Sequence, residues 1–147
     1  MNRVQVKLLL IAAAGSLLFS NSIVAQSSPY TPNPILPPAP KAASVKITQG
    51  PEPELVRSNW AIIRWTTNNP GGTDQHYAIL HYGTSPNDLS QTAKSPIHVN
   101  REHSDALFRV RVLGLSPQTT YYYRVDSTGS TGQSDGVDSP VKQFSTP

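Results

Sequence analysis

Four histidines, His76, His81, His98 and His103, are the side chains best suited to hold a metal or move a proton. Their spacing works against a shared site. His76 and His81 are five positions apart on an alternating segment, which points them to opposite faces. His98 and His103 flank a short polar stretch beside Glu102 and Asp105. A metal centre needs three or more such groups to converge, and nothing in the spacing brings them together, so neither metal nor cofactor is expected. Ser104 lies between His103 and Asp105, the three residue types of a hydrolase triad. Neighbours in an extended chain point apart, whereas a triad needs a hydrogen-bonded relay through all three groups. Asp126, Asp135 and Asp138 offer oxygens of the kind calcium takes, but without the regular alternation of a calcium loop. They are expected on a solvated loop, and no catalytic residue is assigned.

The elements that must carry any site are strands. Turn residues interrupt the chain about every 8 to 15 residues, with β-branched and aromatic residues alternating between them. No segment sustains an apolar period of 3.6, so helices are expected to be absent or single turns. The expected strands are 44–49, 59–66, 76–83, a short polar edge segment at 89–93, 105–113, 120–127 and 140–145. Gly50-Pro-Glu-Pro53 is expected to break the first, and 128–138 to be a mobile loop. The whole predicts an all-β, seven-stranded immunoglobulin-like Greek-key sandwich.

Alternation then sorts side chains by face. Trp65, Leu80, Tyr82, Phe108, Val110, Tyr123 and Val125 are expected in the core. Trp65 is preferred to Trp60 because Ala61 and Ile63 taper toward it. Leu115, Pro117 and Tyr121 read as a tyrosine corner, in which a hydroxyl reaches back to upstream backbone and closes the passage between sheets. Two outward groups remain as candidate binding surfaces. Tyr77, Ile79, His81, Tyr122 and Arg124 should share one face, and aromatic rings with an arginine are the composition of interface hot spots. Arg64, Arg109 and Arg111 should cluster on the opposite sheet.

The ends read differently. Arg3 and Lys7, the apolar run Leu8 to Phe19 and the small-residue site Ile23-Val-Ala25 make residues 1–25 an export signal. The run is short for a membrane span of roughly 20 residues, so a membrane is met only if the signal stays uncleaved. Six of the 14 prolines fall between Pro29 and Pro40, and residues 26–43 are expected to be an extended proline-rich linker. Residues 44–147 form the domain. With Arg3 and Lys7 set aside in the signal, ten basic residues face nine acidic ones, which gives no general pull toward nucleic acid. The chain has no cysteine, so stability must come from packing and strand pairing.

Seven strands, Trp65 and Leu115-x-Pro117-x-Thr119-x-Tyr121 resemble a fibronectin type III domain. Tyr82-Gly-Thr-Ser-Pro86, the run Leu115 to Arg124, and Phe144-Ser-Thr-Pro147 more narrowly resemble the N-terminal sandwich domain of purple acid phosphatases. That resemblance implies a separate downstream domain that does the chemistry with two metal ions. Its Gly-Asp, Gly-Asn-His and Gly-His-x-His ligand motifs do not occur in this chain. The expected function is an exported, non-catalytic module, periplasmic or extracellular, that binds an envelope protein or polysaccharide. The alternatives are an accessory domain of a separately encoded metal-dependent phosphatase, and a spacer without a ligand.

Overall fold

The computed structural model describes residue 37 and residues 39–147, so the expected signal and most of the linker lie outside the described residues. Eight strands follow one another: β1 (Ile47–Val56), β2 (Trp60–Asn68), β3 (Gln75–Gly83), β4 (Gln91–His98), β5 (Asp105–Leu113), β6 (Thr120–Gly129), β7 (Ser134–Asp138) and β8 (Lys142–Ser145). They form two antiparallel sheets. One has the order β1-β2-β5; the other runs β4-β3-β6-β7, with β8 also pairing with β6. This is an all-β, fibronectin III-like Greek-key sandwich, and no helix occurs among the described residues.

The count is eight rather than seven because the last strand is broken. β7 pairs with the end of β6 through Thr128 and Asp126, and β8 pairs with its beginning through Tyr121 and Tyr123. Ser139 bridges the break: the Val125 N–H donates to Ser139 Oγ at 3.0 Å, and the Ser139 N–H donates to Val125 O at 3.1 Å. Pro140 has no N–H, so the chain leaves the ladder there and rejoins it at Lys142. The stretch 128–138, expected to be a mobile loop, is therefore the end of β6, a tight turn and β7.

Two further elements run longer than alternation alone predicts. β1 continues through Gly50-Pro-Glu-Pro53 to Val56, with irregular register at three points. Gly50, at φ +80, is needed there because a Cβ would stand 2.9 Å from Arg64 O. The edge segment is an eight-residue strand, and its Lys94 and Pro96 are residues that blunt an open edge.

β2, β3 and β5 bury every second residue without exception. Trp65, Leu80, Phe108, Val110, Tyr123 and Val125 are all buried to within 1 % of complete, and Tyr82 is 8 % exposed. Trp65 stacks on its cross-strand partner Phe108 at 5.3 Å between centroids, with the planes 8° apart. Tyr121 and Tyr123 meet Phe144 of β8 at 5.7 and 5.8 Å. Burial pushes the Tyr123 hydroxyl up to about 12, with Glu52 adding to the shift.

The corner is closed as well. The Ser116 N–H donates to Tyr121 Oη at 2.9 Å, while Leu115 is buried and Pro117 starts the turn into β6. Replacing Tyr121 by Phe leaves that N–H without the partner of a part-buried hydrogen bond. Urea denaturation is expected to show a loss of about 1–3 kcal/mol for Tyr121→Phe. Tyr122→Phe, on the outward side of the same strand, should change stability far less.

Candidate functional site

The outward residues of the five-stranded sheet converge. β3 pairs with β6 so that His81 lies opposite Arg124, Ile79 opposite Asp126 and Gly83 opposite Tyr122. β3 also pairs with β4, placing Lys94 beside Ile79 and Pro96 beside Tyr77. Tyr77, Ile79, His81 and Tyr122 are half-buried and Arg124 is exposed, so all five share one accessible face. Two features of it were not visible in the sequence pattern. The Lys94 ammonium sits 3.8 Å from the centre of the Tyr77 ring and covers one of its faces. Asp126 lies among them, its carboxyl raised above the ordinary carboxylate value by burial, against hydrogen bonds from Ser134 Oγ and the Ser127 N–H that favour the charge. Arg124 Nη1 reaches Asp138 Oδ2 at 3.2 Å.

The three arginines of the other sheet also share a face, but their charge is largely spent within the protein. Arg64 lies opposite Arg109 in the β2–β5 register. Two like charges side by side repel, and β1 supplies the counter-charges. Arg64 Nη2 is 2.8 Å from Glu52 Oε1; Arg109 makes a two-pronged pair with Glu54 at 2.6 and 3.0 Å. The Arg109 hydrogen bond holds the Glu54 carboxyl below its ordinary value. Arg111 lies over the Trp60 ring at 4.4 Å. Alternation alone leaves the arginines a basic cluster, because Glu52 lies in the expected break at Gly50–Pro53 and Glu54 beyond it, and both become strand neighbours only when β1 runs on to Val56.

A second constellation was missed altogether. His76 of β3 and Asp135 of β7 meet at 2.8 Å, and both side chains are 2 % exposed. Asp135 Oδ2 also accepts a hydrogen bond from Ser127 Oγ at 3.2 Å, and His76 Nε2 lies 2.9 Å from Gly71 O. Asp135 was expected on a solvated loop; strand β7 instead turns it inward with Val137. The available signal was parity. His76 precedes the inward residues Ala78, Leu80 and Tyr82 by even steps, so it had to face the core side too.

Serine, aspartate and histidine here do not form a nucleophile relay. Ser127 bonds to the aspartate and not to the imidazole, whose other nitrogen is taken by a backbone carbonyl. The cluster floors an open cavity of about 220 Å³ lined also by Lys41, Gly72, Thr131 and Gln133. Most polar groups of its floor are satisfied within the protein: the Gly71 N–H donates to Asn69 Oδ1 and the Gly72 N–H to Ala39 O. His98, opposite Gln75 in the β3–β4 register, and His103 are both exposed, and Ser104 Oγ bonds only to its neighbour Asp105 at 3.1 Å. Among the described residues, no three His, Cys, Asp or Glu side chains come together as metal ligands.

With this geometry in hand, the comparison with known proteins is specific. The family profile described as purple acid phosphatase, N-terminal domain, matches residues 49–146. The chain belongs to this family. The match is to the N-terminal domain of those enzymes, which is not the catalytic one. No curated protein matches by sequence. Among solved structures, the sensor domain of an anti-sigma factor from Pseudobacteroides cellulosolvens is similar at 19% identity and a TM-score of 0.49, over 71% of this chain and 96% of that one. A longer form of that sensor domain gives 21% and 0.47, over 69% and 88%. The third fibronectin III domain of a human protein gives 18% and 0.36, over 76% and 84%.

The glycine pair beside the cluster yields a check. Gly71 has φ +64, and a Cβ there would stand 1.9 Å from Pro40 O. Gly71→Ala should therefore lower the melting temperature and displace residues 39–42 from the β2–β3 turn, as read by their amide shifts. Gly72→Ala, with open space around its Cβ but φ +77, should displace them less.

Proposed function

We propose that this chain is an exported, non-catalytic member of the family that binds a protein of the cell envelope through the outward face of its five-stranded sheet. The observation that carries the reading is the register that gathers Tyr77, Ile79, His81, Tyr122 and Arg124 on one accessible surface. Lys94 favours a protein over a polysaccharide as the partner. A sugar ring stacks on an open aromatic face, and the Lys94 ammonium already occupies one face of Tyr77. What the surface offers instead is ring edges, an aliphatic centre at Ile79 and charged groups of both signs around it, the mixture found at protein interfaces. Export rests on the basic and apolar pattern of residues 1–25.

A second reading is favoured by the family match: an accessory domain that docks on a separately encoded metal-dependent phosphatase. The two readings share the surface and differ in the partner. The opposite sheet is the weaker candidate, since Arg64 and Arg109 are already paired with Glu52 and Glu54.

The double substitution Tyr77→Ala with Tyr122→Ala is expected to weaken capture of envelope proteins about thirtyfold or more, since losing even one hot-spot side chain costs about 2 kcal/mol. The melting temperature should stay close to that of the unsubstituted protein, because neither ring belongs to the core. Undiminished capture would reject this face. The purified chain, supplied with iron, zinc or manganese, should not turn over a phosphomonoester. Metal-dependent turnover would contradict the non-catalytic assignment.

A further inference from the structure

His76 has an oxygen at hydrogen-bonding distance from each ring nitrogen. Nδ1 is 2.8 Å from Asp135 Oδ2, and Nε2 is 2.9 Å from Gly71 O. A carboxylate and a backbone carbonyl are both acceptors, so each contact needs an N–H on the ring. A neutral imidazole has one N–H and the imidazolium has two. With Asp135 ionised, only the charged ring satisfies both contacts at once. In the neutral ring, the proton that Asp135 holds most strongly is the one on Nδ1, and the Nε2 lone pair then faces the lone pairs of Gly71 O. The His76 side chain is 2 % exposed, so solvent is poorly placed to relieve that conflict.

Gly71 is not an isolated turn residue. The Gly72 N–H donates to Ala39 O at 2.7 Å, and the Ala42 N–H donates to Pro70 O at 2.9 Å. Ala39 and Gly72 form an isolated antiparallel bridge, and the backbone of Pro40 rests where a Gly71 side chain would be. The turn cannot move away from His76 without disturbing the segment that lies on it. We propose that His76 is a pH-operated latch: protonated, it clamps the Gly71–Gly72 turn and the docked arm Ala39–Ala42 to the sandwich, and on losing its proton it releases them.

The charged surroundings support this. Asp135, from β7, faces the ring directly, and its hydrogen bond raises His76 above its ordinary value of 6.5, outweighing the burial that opposes the charge. Ser127 of β6 adds only a neutral hydroxyl on Asp135, Lys41 of the arm lines the cavity above, and Asp74 of the turn is exposed and paired with Arg101 at 3.0 Å. A raised folded-state value fixes the sign. The latch contributes fully below about pH 6.5, the unfolded-state value, and its contribution is lost as pH rises through the higher folded-state value. Release is therefore an alkaline event. The proton goes to solvent, and the freed arm exposes the floor of the cavity.

The test is a pH titration of the full chain labelled with nitrogen-15. At low pH, both ring nitrogens of His76 should carry protons in the imidazole nitrogen spectrum. As the ring titrates, hydrogen-exchange protection of the Gly72 and Ala42 amides, corrected for intrinsic rate, should fall about tenfold or more. Protection at Ile63 and Val110 in the core should persist. Asp135→Asn, which keeps the shape and removes the charge, should move the release to lower pH. A ring that is neutral throughout, or one that titrates without loosening Gly72 and Ala42, overturns the proposal. So does loss of core protection at the same pH, which would make the event global unfolding. These readouts use the unsubstituted chain and do not depend on any partner, so they stand apart from the binding reading.

Discussion

With no cysteine to tie its two sheets together, the domain depends on how inward side chains fill the space between them. The Trp65–Phe108 stack belongs to the smaller sheet, and Tyr121, Tyr123 and Phe144 form an aromatic seam on the larger one. Ile63, Leu80, Val110 and Val125 close the gap between these groups, all fully buried. Strict alternation along β2, β3 and β5 is the condition for this packing. A slip of one residue in any of them would turn its apolar set to solvent. The same condition decides what lies outside. Because Leu80 and Tyr82 must face in, Ile79 and His81 must face out.

The two outer faces obey different electrostatics. On the three-stranded sheet, neighbouring arginines are answered by glutamates from the adjoining strand, and the face is close to self-neutralised. On the five-stranded sheet, Lys94 spends its charge on a tyrosine ring, while Asp126 is partly desolvated beside His81. Arg124 is paired with Asp138, but Lys94 and Asp126 form no salt bridge among the described residues, and these are the groups a partner can still engage. That contrast is why the binding role is proposed for the larger sheet. The buried His76–Asp135 pair lies apart from both outer faces, where β3, β7 and the β2–β3 turn meet.

The core was legible because alternation carries most of the information: Phe108 and Tyr123 follow from parity, while Trp65 needed the taper of Ala61 and Ile63 to set it apart from Trp60. The corner was legible because leucine, proline and tyrosine stand at a spacing that few other structures use. The outward tyrosine face followed from the same parity once β3 and β6 were taken as neighbours. What remained hidden depended on partners distant in sequence. Glu52 and Glu54 become counter-ions only when β1 continues past two prolines, which local rules disfavour. Asp135 becomes a buried partner only when a glycine- and serine-rich stretch forms a strand beside β6. Composition favours a loop there; the inward fit of Asp135 and Val137 outweighs it. The last strand, β8, was legible at 140–145; the strand hidden before the break at Pro140 is β7.

The claim on which everything rests is that alternating positions of β2 divide into a dry side holding Trp65 and an outer side holding Trp60. Tryptophan fluorescence of the Trp60→Phe protein reads that division with a single reporter. The account predicts blue-shifted emission that acrylamide quenches only weakly, because Trp65 is 1 % exposed. Red-shifted emission, readily quenched in the folded protein, would contradict it.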